Sequence, residues 1–249
     1  MAYGTNSSQN FMTNRENITL VLLPGMDGTG KLFAPLLQQL PPHITPEVIR
    51  YPTSEKLSYQ ALTDLAREQV PRKQPYLLLG ESFSGPIAIA LAASAGVQLK
   101  GVILSCTFAR NPREFLSKFG VLVPSLPIHA WSMPLLNQLL MGSFKDPAMS
   151  NQLFDAVSQV LPEVMRYRLD EVMRVDETQA LKSINKPILY LQGKEDYLVP
   201  SSAAQTIMQL AKKAEIIALD APHLLLQVAA KEAAHYIMQF AEKVGYADQ

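Results

Sequence analysis

The stretch that most constrains the fold is residues 76–86, YLLLGESFSGP. Four apolar residues, 76–79, sit between Pro75 and Gly80, the pattern of a strand covered on both faces. Residues 87–96 follow as a small-residue run suited to a helix, closed by Gly96 where a C-terminal cap belongs. Pro86 falls in the first helical turn, where its missing N–H costs nothing. Ser82 lies between strand and helix, two residues after Gly80 and followed by the small residues Ser84 and Gly85. A serine on such a turn is lifted clear of the sheet, and the N–H of the next residue, Phe83, faces the place where an oxyanion would develop. The usual signature is G-x-S-x-G; here Ser84 stands in the last position. A plain capped helix, with Ser82 or Ser84 as the cap, accounts for the same letters without chemistry.

Strands and helices alternate along the rest of the chain. Residues 18–23, 47–51, 101–106, 187–192 and 215–219 read as further strands, and 31–40, 59–70, 201–211 and 231–244 as helices. This pattern predicts an α/β fold, a doubly wound, mostly parallel sheet of about six strands with right-handed crossovers. Residues 109–182 depart from it, with several prolines, helical runs rich in Leu and Met, and no convincing strand. They are too long for an ordinary connection. An α-helical cap, or lid, over the carboxyl ends of the strands is the expected arrangement. The expected division is therefore a core of 18–108 and 183–249, a cap of 109–182, and a polar leader of 1–17. At 249 residues and 48% hydrophobic, the chain can bury one sizeable core.

Composition narrows the partners. Lys and Arg number 22 and Asp and Glu 22, so there is no net charge to favour nucleic acid or an acidic surface. The single cysteine, Cys106, excludes an intrachain disulfide and a cysteine-based metal site. The leader lacks the apolar run of a signal peptide, and no stretch reaches the ~18 to 20 apolar residues of a membrane span. A cytoplasmic location is expected.

A nucleophilic serine needs a base, and the base needs an orienting acid, here in the chain order serine, acid, histidine. Of the four histidines, His43 precedes the turn, His129 lies in the cap and His235 sits within the final helix. His223, in LDAPH just past the last strand, is the candidate base. Asp196, in the loop GKEDYLVP after strand 187–192, is the candidate acid; Glu195 and the more distant Asp220 are its competitors. The loop PGMDGTG after the first strand offers a second N–H, that of Met26, beside the N–H of Phe83, and glycines 25, 28 and 30 let its backbone approach a ligand.

These segments resemble the α/β-hydrolase family, specifically small microbial serine esterases with a helical cap. LLPGMDGTG is similar to the family's strand and oxyanion loop, with Pro24 in place of the usual histidine. LLLGESFSG resembles the nucleophile elbow, ILYLQGKEDYLVP the acid loop and LDAPHLLLQ the histidine loop. The resemblance covers about 18–108 and 183–249. It implies cleavage of a carboxylic ester, or a thioester, of a small or medium apolar acyl group through an acyl-enzyme. Ser82 would attack, His223 would shuttle the proton and Asp196 would hold the imidazole. The N–H groups of Met26 and Phe83 would bind the oxyanion, with no metal or organic cofactor. Ser82 also argues against the dehalogenase and epoxide-hydrolase branches, which use Asp there.

Three other readings compete. The same triad could pass the acyl group to an alcohol or thiol. A non-catalytic binding protein of the same fold would be expected to have lost a triad member, and none is lost. Residues 25–31 match G-x-x-x-x-G-K of a phosphate-binding loop, but Leu32 stands where Ser or Thr must hold Mg²⁺. In the cap, Met165, Leu169, Val172 and Met173 read as an apolar face over the pocket, with Arg166, Arg168 and Arg174 as solvated spectators. Docking of an acidic acyl carrier protein on those arginines, with Arg110 and Arg113 nearer the sheet, as in the methyl esterase of biotin synthesis that the chain resembles in general architecture, is the less favoured alternative.

Overall fold

In the computed structural model, which describes residues 17–112, 133–144 and 146–245, six strands form one parallel sheet. They are β1 (Ile18–Leu23), β2 (Ile44–Val48), β3 (Tyr76–Glu81), β4 (Leu99–Ser105), β5 (Ile188–Glu195) and β6 (Ala214–Pro222). Their spatial order is β2-β1-β3-β4-β5-β6. Every residue of β1 and β3 is buried, because helices cover both sheet faces. Side-chain alternation sends Val21, Leu23 and Leu78 to one face and Leu20, Leu22, Leu77 and Leu79 to the other. The first face packs on α2 (Tyr59–Gln69) and α3 (Gly85–Ala93) through Leu62, Ala66, Ile87 and Leu91. The second packs on α1 (Ala34–Leu37) and the C-terminal helix through Leu36, Ile237 and Phe240.

Between β4 and β5 the described residues form α4 (Met133–Met141), α5 (Pro147–Ser158), α6 (Pro162–Arg174) and α7 (Thr178–Ser183). Then come α8 (Ser201–Leu210), α9 (Leu225–Val228) and α10 (Ala230–Gly245). The α4–α6 segment is tied to the sheet end. Leu161 N–H donates to the Thr53 carbonyl at 3.0 Å, and Leu224 N–H to Leu140 at 3.1 Å. Met149, Leu153 and Ala156 cluster with Leu32 and Leu224 beneath. His129 and Arg113 lie outside the described residues. Among the described residues, no helix is long and apolar enough to cross a membrane.

Three boundaries differ from expectation, each for a local reason. β2 spans 44–48, not 47–51: Ile44 pairs with Ile18, and the chain leaves the sheet where Tyr51 N–H turns to the Gly28 carbonyl. Pro46 is tolerated because β2 is an edge strand with one free side. α3 ends at Ala93 with Ser94 as its cap, short of Gly96. β5 and β6 run past 192 and 219, so that Glu195 pairs with Pro222 after an irregularity at Gly193. A Cβ on Gly193 would collide with the carbonyls of Ala221 and Pro222, so only glycine allows this approach. The extension brings residue 196 beside residue 223.

Candidate active site

Ligands of open α/β sheets bind beyond the carboxyl ends of the strands, where the strand order reverses. Here β2 lies on one side of β1, while β3 and all later strands lie on the other. The loop after β1 therefore lies against the turn after β3, with the ends of β5 and β6 further along the same edge.

Ser82 sits on that turn with φ 49°, a left-handed conformation that costs a non-glycine residue about 1–3 kcal/mol and persists only where its surroundings enforce it. The enforcement is visible. The Thr107 hydroxyl donates to the Ser82 carbonyl, and the Tyr59 hydroxyl donates to that of Phe83 at 3.0 Å. A Cβ on Gly80 would come within 2.8 Å of Ala88 Cβ, and one on Gly85 would collide with Thr107. Gly85 thus supplies the close approach, which frees the position before it. Ser84, fully buried, uses that freedom: its hydroxyl donates to the Pro24 carbonyl and accepts from Tyr51, 2.7 Å away. The departure from G-x-S-x-G is a tether between the elbow and the loop after β1.

Ser82 Oγ lies 2.8 Å from His223 Nε2. His223 Nδ1 lies 2.9 Å from Asp196 Oδ2 and 3.0 Å from Oδ1. Asp196 Oδ1 also accepts from the N–H groups of Leu198 at 2.9 Å and Val199 at 2.8 Å. With Nδ1–H donating to Asp196, Nε2 carries its lone pair toward Ser82. The His223 and Asp196 side chains are only 3% and 4% exposed, so water does not compete for this chain of bonds. Burial alone would raise the Asp196 carboxyl, but the His223 charge and the hydrogen bonds outweigh it and hold it below its usual 3.8. Burial likewise opposes protonation of His223, yet the Asp196 charge and hydrogen bond prevail and lift it above 6.5.

The competitors are engaged elsewhere. Glu195 accepts from the Ser143 hydroxyl at 2.7 Å, and Asp220 pairs with Lys194 at 2.7 Å. His43 caps the sheet end opposite, its carbonyl bound to Ile18 N–H, and His235 is exposed on α10 against Tyr236. Among the described residues, no three His, Cys, Asp or Glu side chains gather closely enough to hold a metal ion.

The loop after β1 turns through Gly28 and Gly30, both at φ +71°. Gly25 and Met26 share with Ser82 and His223 a cavity of about 200 Å³. Phe83, the other expected oxyanion donor, is buried beside Ser82, its ring stacked on Tyr59. The cavity's remaining wall is almost wholly apolar, with Leu139 and Leu140 of α4, Leu153 and Val157 of α5, and Met165 and Leu169 of α6.

Two expectations for the α4–α6 segment need correcting. Val172 and Met173 are not part of the cavity wall. Val172 packs against buried side chains beside α6, and the Met173 carbonyl accepts from the Asn111 amide. Arg168 is no spectator: it is 1% exposed, and its guanidinium donates to the carbonyls of Met26 at 2.7 Å and Pro52 at 2.8 Å. Its position was readable, since Met165, Arg168 and Leu169 at i, i+3 and i+4 share one helix face. Arg174 does face solvent, paired with Glu171 at 3.3 Å.

Glu81, missed in the sequence, is 4% exposed directly before Ser82 and accepts from the Gln227 amide at 2.8 Å. Burial, with the nearby Asp27 charge, pushes its carboxyl from 4.5 up to about 7, against the hydrogen bond from Gln227. The folded protein therefore holds a proton there that the unfolded chain releases above 4.5. That contribution to stability is fully present below about pH 4.5 and is lost as pH rises through about 7, on the order of 3 kcal/mol in all. Glu81→Gln is expected to flatten the stability profile between pH 5 and 8 by about that amount, measured by urea unfolding at each pH. An unchanged slope would place the proton elsewhere.

Comparison with known proteins sets this geometry in context. A family model described as serine aminopeptidase, S33, matches residues 58–221. Pyrrolizixenacetamide deacetylase of Xenorhabdus hominickii is 24% identical over 168 residues, 64% of this chain and 63% of that protein. The match thus spans less than two thirds of the deacetylase. The pimeloyl-[acyl-carrier protein] methyl ester esterase of Xanthomonas oryzae pv. oryzae is 25% identical over 217 residues, covering 80% of this chain and 85% of the esterase. The solved structure of a hydrolase from Oleispira antarctica matches with a TM-score of 0.79 at 17% identity, over 90% of this chain and 91% of that one.

Proposed function

The chain belongs to the serine aminopeptidase S33 family and has the α/β-hydrolase fold, and on that premise we propose that it is a serine esterase acting on small-molecule esters of small or medium apolar acyl groups. The observation that carries the proposal is the hydrogen-bonded chain Asp196–His223–Ser82 opening into an apolar cavity. In this reading Ser82 Oγ attacks the ester carbonyl while His223 Nε2 takes its proton. The N–H groups of Met26 and Phe83 receive the oxyanion, the alcohol leaves with the proton from His223, and water repeats the sequence to free the acid. Helices α4–α6, within the expected cap, shape the acyl site.

The family's description raises peptide hydrolysis as a second reading, and the acids lining the cavity count against it. Binding a substrate ammonium needs a free carboxylate. Glu81 is bound to Gln227, and Asp27 to Thr29 with Arg168 nearby. The remaining wall suits hydrocarbon. The Xanthomonas relative is named for a carrier-bound ester; here Arg168 is buried and so lost to an acidic carrier, while Arg174 stays exposed beside Glu171, and it is the apolar cavity wall that favours free esters.

Turnover of p-nitrophenyl esters from acetate to laurate, with a thioester and an aminoacyl p-nitroanilide alongside, tests this. Ester turnover favouring chains longer than acetate is expected; preference for the anilide would replace the esterase reading. Met165→Gln is expected to lower kcat/KM on the longer esters roughly tenfold while leaving acetate nearly unchanged, because only longer chains reach it. Met173→Gln should change neither. Equal losses at every chain length would contradict the acyl-site role.

A further inference from the structure

Arg168 is the largest fully buried side chain in the described structure. Burying a guanidinium costs several kcal/mol unless each donor finds a well-placed partner, and a packing role alone would be met by Leu or Met. Its partners here are specific. One arm holds the Met26 carbonyl and the other the Pro52 carbonyl. The plane lies 5.9 Å from the centre of the Tyr51 ring, and the Asp27 charge supports the cation. Gly28 makes the room, since a Cβ there would sit 2.8 Å from Nη1. Tyr51 continues the connection to Ser84, and Ser84 to the Pro24 carbonyl. One helix of the cap segment is thereby joined to the loop after β1 at Met26, to the chain after β2 at Pro52 and, through Tyr51 and Ser84, to the elbow.

We infer that Arg168 is a positioning residue that holds Met26 in place so that its N–H meets the oxyanion, and that the α6 helix thereby both lines the acyl site and completes the catalytic geometry. The Met26 carbonyl belongs to the peptide that follows Met26, and a charged donor on it pins that side of the residue whose own N–H, in the preceding peptide, must meet the oxyanion. Oxyanion donors act only at the right place, and a displacement of about 1 Å costs on the order of 10²-fold. Met165 and Leu169, three residues before and one after Arg168, touch the same cavity. Apolar acyl groups packing on α6 would press on the element that holds Met26. The inference rests on the esterase reading.

The test compares Arg168→Met, Arg168→Lys and Arg168→Ala with wild type on a short and a long p-nitrophenyl ester, with folding followed by circular dichroism. The expected result is a fall in kcat on the order of 10²-fold for Arg168→Met, with KM within about threefold because ground-state contacts are kept. Affinity for an alkyl boronic acid, which forms a tetrahedral adduct on the serine, should fall in parallel with kcat/KM. Millimolar guanidinium should partly restore kcat to Arg168→Ala, and urea, its neutral analogue, should not. An unchanged kcat, a rise in KM alone, or failure of all three variants to fold would each overturn the positioning role. Ester turnover and boronate binding by wild type separate that failure from failure of the esterase reading. A wild type lacking both removes the reading and the inference together.

Discussion

Replacing Ser82 with alanine is expected to lower kcat by about 10⁴-fold or more while the protein stays folded. Of the functions proposed for the site, only nucleophilic attack depends on the Ser82 hydroxyl. The elbow is held by other groups: the Thr107 and Tyr59 hydroxyls on the carbonyls of Ser82 and Phe83, and glycines at 80 and 85. Alanine can occupy the same strained φ at similar cost. Ser84→Ala is the informative control, because Ser84 is two residues away, fully buried and bonded to Tyr51 and Pro24. It should keep most activity and lose about 1–3 kcal/mol of stability, since the Tyr51 hydroxyl loses a partner. Steady-state kinetics and thermal melting of the two variants separate the roles. A large kinetic loss at Ser84 with a small one at Ser82 would mean that the elbow is displaced by two residues.

Asp196→Asn is expected to cost about 10³ to 10⁴ in kcat, because an amide can present a donor to Nδ1 and so turn the imidazole to the wrong tautomer. The pH dependence carries a second signature. Since the Asp196 anion helps raise His223 above 6.5, wild-type kcat/KM should rise with pH through a limb above that value, where His223 loses its proton and becomes a base. Removing the anion should move the limb downward in the residual activity. Glu195→Gln should do neither, since Glu195 is bound to Ser143. A limb that stays in place in Asp196→Asn would detach Asp196 from the histidine.

How much of this was legible in the sequence follows from how local each feature is. The strands and the elbow could be read because apolar runs, and Gly80 against Ser84 and Ala88, act within a few residues. The candidate acid and base could be picked out because each follows a strand end in a fixed chain order, and their side chains do meet. The reach of β5 and β6 beyond 192 and 219 could not, since it depends on Gly193 passing the Ala221 and Pro222 carbonyls of a neighbouring strand. β2 was misplaced because Pro46 argues against a strand until the strand is known to lie at an edge. The helix face of Arg168 could be read, but its buried partners and those of Glu81 could not, because charge is written in the sequence and burial is not. The acceptors of Arg168 lie 142 and 116 residues away at Met26 and Pro52, and Gln227 lies 146 residues from Glu81. The tether role of Ser84 could not be read either, since its partners Tyr51 and Pro24 lie 33 and 60 residues away.

The most direct measurement is mass spectrometry of the acyl-enzyme. Wild-type protein mixed with excess p-nitrophenyl butyrate and quenched in acid within milliseconds, then digested, should carry one butyryl group per chain, on the peptide containing Ser82. His223→Ala should form it far more slowly. An acyl group on another residue, or turnover with no acylated peptide under conditions that trap a control serine esterase, would contradict a Ser82 nucleophile.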